Sequence, residues 1–113
     1  MVGIGYLQEE WLRSTMKSYF KQPIYKSEDY LNYIRSMDCV ACDHTPFAIT
    51  VHHESLGIKA MGKNLIPDSY TIPLCVRCHG LRHNIGYRTF WKKINLDPKL
   101  IIINNITGYL RAT

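Results

Sequence analysis

The sequence predicts a small α+β domain, a two-stranded hairpin followed by a helix, stapled by a four-cysteine zinc site and flanked by helical segments. Three observations carry this. The four cysteines fall as Cys39-x-x-Cys42 and Cys75-x-x-Cys78, with none left over. Between the pairs lie two short runs rich in β-branched and apolar residues, 47–52 (FAITVH) and 70–74 (YTIPL). Apolar residues at helical spacing occupy both flanks. At 113 residues the chain reads as one domain, 1–113, with an N-terminal helical segment (1–37), a zinc-stapled core (38–95) and a C-terminal segment (96–113). A domain this small buries a smaller fraction of its surface than a large one, so a structural metal helps to hold it.

Taken in order, residues 7–20 place Leu7, Trp11, Ser14, Thr15 and Tyr19 at near-helical spacing, and Pro23 stops the pattern. A second, short helix follows: Ser27 caps it, Glu28 and Asp29 suit the positive end of its dipole, Tyr30, Leu31 and Ile34 form its apolar stripe, and it ends near Met37. The aromatic residues here, Trp11, Tyr19, Phe20, Tyr25, Tyr30 and Tyr33, are read as core rather than as base-stacking groups. Strands 47–52 and 70–74 pair as a hairpin. Their connection, residues 54–69, is long for a compact domain and carries Gly57, Lys59, Gly62 and Lys63, and long ordered loops are usually functional. A helix over 78–83 is ended by residues 84–86, and 89–94 is another with Phe90, Trp91 and Ile94 turned inward. Asp97-Pro98 is a helix start. The isoleucine run 101–103 also suits a strand, but Ile102, Ile103, Ile106 and Leu110 fit one helix face, and helix is the reading.

The hydrophobic and charged fractions, 46% and 20%, are those of an ordinary soluble protein. No apolar run approaches the roughly 20 residues needed to span a bilayer, and the N-terminus lacks the basic and apolar segments of a secretory signal, so the cytoplasm is expected. Net charge is +5, unevenly placed. Residues 1–50 hold five Lys/Arg against six Asp/Glu; residues 51–113 hold nine against three, together with four of the five histidines. A polyanion is the natural partner of that half.

Two residues between thiolates let one tight turn present both sulfurs to a single ion, and two such turns complete the tetrahedron that zinc accepts. A structural Zn²⁺ on Cys39, Cys42, Cys75 and Cys78 follows. Disulfides are the alternative, disfavoured by the reducing compartment that a chain without a secretion signal occupies. A closed Cys₄ site leaves no open position, so this zinc supports the fold and does no chemistry.

The histidines make a second constellation. His79 and His83 are four apart and share one helix face, so they can bind one metal together. Cys78, about 100° around that helix from His79, is free to serve the zinc. His52 and His53 are neighbours on a strand and point to opposite faces, so one ligates and the other has a different task.

Cys39-x-x-Cys42, Val51-His52-His53, Gly62-Lys63, Asp68, Pro73-Leu74-Cys75-x-x-Cys78-His79 and His83, with Gly86 and Phe90-Trp91 beyond, together resemble the HNH (ββα-metal) endonucleases. The likeness is to the zinc-containing group of phages and prophages around the RecA-dependent nuclease Ref. More distantly, His52-His53-Glu54 and the later His-x-x-x-His are similar to the colicin DNases. The resemblance covers roughly residues 30–95. It implies a ββα-metal core in which His52, His79 and His83 bind a catalytic divalent ion and His53 is the general base that deprotonates the attacking water. Imidazole, which ordinarily titrates near neutrality, suits that task. It also implies DNA as substrate, 5′-phosphate and 3′-hydroxyl product ends, and a recombinase or other phage DNA-processing protein as partner in the host cytoplasm.

The usual Asn just before the second strand is missing. Asp68 stands at the matching position, to orient His53 or brace the loop, and Glu54 is a candidate to hydrogen-bond a histidine. Lys63, Arg77, Arg82 and Arg88 are candidates to hold phosphates. Three neutral imidazoles favour Mn²⁺, Co²⁺, Ni²⁺ or Zn²⁺ over Mg²⁺, though Mg²⁺ can serve where phosphate and water supply oxygens. The rival readings are a non-catalytic zinc module that binds nucleic acid and a structural zinc domain that docks a recombination or packaging protein. Neither needs a three-histidine cluster beside His53.

Overall fold

The computed structural model describes residues 24–42, 48–58 and 65–113. The helix expected over 7–20, the start of the first strand at Phe47, and Lys59, Gly62 and Lys63 of the long connection lie outside the described residues. What remains is a small α+β fold with a two-stranded sheet and four helices. No described helix is long and apolar enough to cross a membrane.

Helix α1 (Glu28–Arg35) begins where expected: the Ser27 side chain accepts the Tyr30 N–H, and Glu28 and Asp29 occupy the first turn. Strands β1 (Ile49–His53) and β2 (Thr71–Cys75) form an antiparallel hairpin with His52 opposite Ile72 and Val51 opposite Pro73. The register explains how a proline is tolerated in β2. Val51 and Pro73 form a non-hydrogen-bonded pair, so Pro73 has no ladder bond to lose, and its carbonyl faces outward. There it accepts the Val40 N–H at 3.2 Å, which seats the first cysteine pair on the outer edge of β2, beside the second.

Cys75 ends β2 and caps helix α2 (Val76–Ile85), its Sγ accepting the Cys78 N–H at 3.4 Å. The helix starts two residues earlier than expected because the second cysteine turn is its first turn. Gly86, at φ 88°, separates α2 from α3 (Tyr87–Lys93), a backbone angle that glycine adopts without strain. The isoleucine-rich tail is helical, α4 (Pro98–Ala112), with Asp97 accepting the Lys99 N–H and Pro98 in the first turn, where its missing N–H costs nothing. It packs against β2 and α1.

The core gathers Cys39, Ile72, Leu74, Cys75, Cys78, Phe90, Trp91 and Ile102. Every residue of β2 is buried, because α4 and the cysteine turns cover what β1 leaves open. Of the aromatics read as core, Tyr30 is 2% exposed and meets Tyr109 edge to face at 5.0 Å, whereas Tyr25 is 47% exposed.

Candidate metal centres

The first centre is the cysteine cluster. The four Sγ atoms lie within 4.8 Å of one another, and the cysteines are not joined as disulfides. Two sulfurs each about 2.3 Å from a tetrahedral ion stand about 3.8 Å apart. Cys42 and Cys75 Sγ are 3.7 Å apart, so the cluster could hold a zinc ion. The protonation pattern points the same way. Burial raises the Cys75 thiol, but hydrogen bonds from Cys78 and the neighbouring thiols outweigh it and bring Cys75 below its ordinary value. Burial and those same neighbours push Cys78 up. One thiolate therefore resists the next until a cation stands among them.

The second centre is built by strand parity and helix period. Residues 50, 52 and 54 share one face of β1 and its continuation, turned toward α2; residue 53 is on the other. Four residues apart on α2, His79 and His83 meet His52 across that space, and their candidate ligand nitrogens lie within 4.8 Å of one another. Ring centroids are 4.9 Å for His52 and His79, 5.4 Å for His52 and His83, and 4.9 Å for His79 and His83. His52 is buried, His79 half-buried and His83 exposed, so the cluster opens toward solvent at His83.

Hydrogen bonds set which nitrogens are available. Thr50 Oγ1 donates its single proton to the Leu74 carbonyl at 2.7 Å and lies 2.7 Å from His79 Nδ1. It therefore accepts from Nδ1–H, which leaves the lone pair of His79 on Nε2. Burial, then the charges of His52, His83 and Arg82, push the pKa of His79 down to about 4, so its imidazole is neutral at pH 7.

His52 is fixed in the same way by Glu54. Glu54 is fully buried, yet burial is outmatched by hydrogen bonds from His52, Arg82, Trp91 and the Leu56 N–H, which hold its carboxyl well below the usual range. An ionised carboxylate only accepts, so His52 Nε2, 3.2 Å from Oε1, carries a proton, and in the neutral ring the lone pair is on Nδ1. Trp91 Nε1 donates to the same Oε1 at 2.6 Å, and Arg82 spans both oxygens at 3.0 and 2.9 Å.

On the opposite face His53 is one-third exposed, and its Nε2 lies 2.9 Å from Asp68 Oδ1. The other oxygen of Asp68 accepts the Ser27 N–H at 2.8 Å. Burial would raise Asp68, but the bonds from His53 and Ser27 prevail and lower it. It too is an acceptor, which puts a proton of His53 on Nε2, so that in the neutral ring the lone pair is on Nδ1.

The sequence-predicted residues thus divide. Cys39, Cys42, Cys75 and Cys78 converge, as do His52, His79 and His83, and Asp68 meets His53. Arg77 and Arg88 are exposed. Arg82 needs correcting: it is only 8% exposed and committed to Glu54, so it supports the histidine cluster from within and is not a surface cation. Thr50 and Trp91 belong to the site and were not singled out for it. No curated protein and no solved structure matches the chain. The model of the family described as "Protein of unknown function (DUF968)" matches residues 12–95, and the chain belongs to that family.

Proposed function

We propose that the chain is a metal-dependent HNH (ββα-metal) endonuclease that hydrolyses DNA phosphodiester bonds. The observation that carries this is the division of labour between adjacent strand residues. His52 joins His79 and His83 in a cluster that could hold one ion, while His53 turns away and is oriented by Asp68. A histidine kept outside a three-histidine ligand set, with its tautomer fixed and part of its ring in solvent, is placed to accept a proton. A purely structural metal site has no use for it.

The ligand set leaves at least one coordination position open, unlike the closed cysteine site. When bound, a divalent ion supplies charge that offsets the negative charge growing on the scissile phosphate and the departing 3′ oxygen. His53 Nδ1 takes the proton of the attacking water. Asp68 holds His53 by Nε2–H and stabilises the imidazolium that results, and Glu54 and Thr50 keep His52 and His79 in tautomers with one lone pair each. Asp68 stands where the family pattern has Asn. The likeness to the phage and prophage group further implies 5′-phosphate and 3′-hydroxyl ends.

The test is incubation of the purified protein with supercoiled, linear and single-stranded DNA across Mg²⁺, Mn²⁺, Co²⁺, Ni²⁺ and Zn²⁺, beside His53→Ala. Nicking by the wild type with at least one ion, lost in His53→Ala, is expected. No cleavage with any ion, or equal cleavage by the variant, would sink the nuclease reading.

A further inference from the structure

A cleft of about 740 Å³ opens between α3 and α4, lined by residues of neither metal cluster. Arg88 and Lys92 of α3 and Lys99 of the first turn of α4 line it, all exposed. None of the three has an ion-pair partner among the described residues. The one acidic lining residue, Asp97, accepts the Lys99 N–H at 3.0 Å as the cap of α4. Asn95 holds the turn between the helices in the left-handed region, φ 56°, and with Asn104 lends side-chain amides to the walls. A non-glycine residue at positive φ is uncommon, and Asn is among the few that tolerate it. Behind the cleft stands Trp91, whose Nε1 donates to Glu54, the carboxylate that also holds His52.

We infer that this cleft binds the phosphodiester backbone of a nucleic acid, with phosphates against Arg88, Lys92 and Lys99. Unpaired cations gain most from a polyanion, because each phosphate they neutralise releases a condensed counterion. Amide groups add hydrogen bonds to phosphate oxygens without reading sequence. The choice of a nucleic acid over an acidic protein rests on the nuclease reading; the unpaired cations of the cleft do not.

The test compares Lys92→Glu/Lys99→Glu with Arg35→Glu/Arg111→Glu, which makes the same change in net charge outside the cleft. Binding of the full chain to a fluorescent DNA duplex is measured by anisotropy, with no catalytic ion added, across a salt series. Each lost phosphate contact lowers the slope of log affinity against log salt by about 0.9, so two lost contacts cost about sixtyfold at 0.1 M salt and little near 1 M. The cleft variant is expected to show this loss and the control little of it. Wild-type affinity in the cleft variant or an equal loss in the control would overturn the inference. A wild type that binds through the cleft yet cuts nothing would leave it standing while the nuclease reading fell.

Discussion

Arg82 lies along Glu54 inside the protein, Nε to Oε1 at 3.0 Å and Nη2 to Oε2 at 2.9 Å, with 9% and none of the two side chains exposed. The pair ties α2, which carries His79 and His83, to the end of β1, which carries His52. Breaking one partner of such a pair leaves a buried charge uncompensated, at a cost of about 3–5 kcal/mol. Arg82→Met should therefore destabilise the domain strongly in urea melts. Glu54→Leu/Arg82→Met should lose much less than the two single changes combined, since no charge is left alone. Additive losses would show that the pair is not coupled.

Much of this arrangement was legible, and the omissions have identifiable causes. Cys-x-x-Cys spacing predicts the first cluster, the four-residue spacing of His79 and His83 predicts two members of the second, and strand alternation separates His52 from His53; that His52 is the one to join the cluster is implied only by the family resemblance. The same alternation puts Thr50 and Glu54 on the face of His52; it supports the reading of Glu54 as a partner of a histidine, while Thr50 gives no signal of its own because threonine is usually a surface residue. Arg82 follows Cys78 by four residues and so shares its buried helix face; its charge suggests a phosphate contact, but its period places it inside. The isoleucine run favours a strand locally because its residues are β-branched, but the Asp97 cap and Pro98 decide for helix, as the sequence predicts. Nothing in one sequence brings α3 and α4 together into a cationic cleft, because that depends on how their buried faces pack.

The cysteine centre predicts a folding requirement. Binding free energy at a structural zinc is folding free energy, and Cys75, one of the four cysteines that could hold the ion, also caps α2. Cys75→Ser or Cys42→Ser should largely unfold the domain, as should a strong chelator. Circular dichroism with zinc counting checks it; a cooperative, native-like melt without zinc would contradict the structural role.

Asp68 predicts a dependence on pH. Its folded pKa lies below the ordinary 3.8, so the unfolded chain binds the proton first as pH falls. The stability it contributes is complete above about pH 4 and is lost as pH drops through the lower folded value. Asp68→Asn should cost about 1.5 kcal/mol at pH 7, the worth of hydrogen bonds to a charged group, and that difference from wild type should shrink below pH 4. A difference constant from pH 7 to 3, followed by urea melts, would mean that the charge on Asp68 is not what holds Ser27 and His53.

The sharpest prediction separates two histidines that a simple loss of activity would confuse. His83 offers a ligand to the cluster with His52 and His79, whereas His53 lies on the other strand face against Asp68. His83→Ala should weaken the histidine site while the cysteine zinc remains, so native mass spectrometry should show metal content falling from about two ions per chain toward one. Excess Mn²⁺ should restore part of its cleavage by mass action. His53→Ala should keep both ions and bind DNA nearly as well, yet lose 10²–10⁴-fold in rate, the usual contribution of a general base. Added metal should not rescue it, because an ion does not replace a missing proton acceptor. Loss of the second ion in His53→Ala, or Mn²⁺ rescue of both variants alike, would reverse the roles assigned to the two faces of β1.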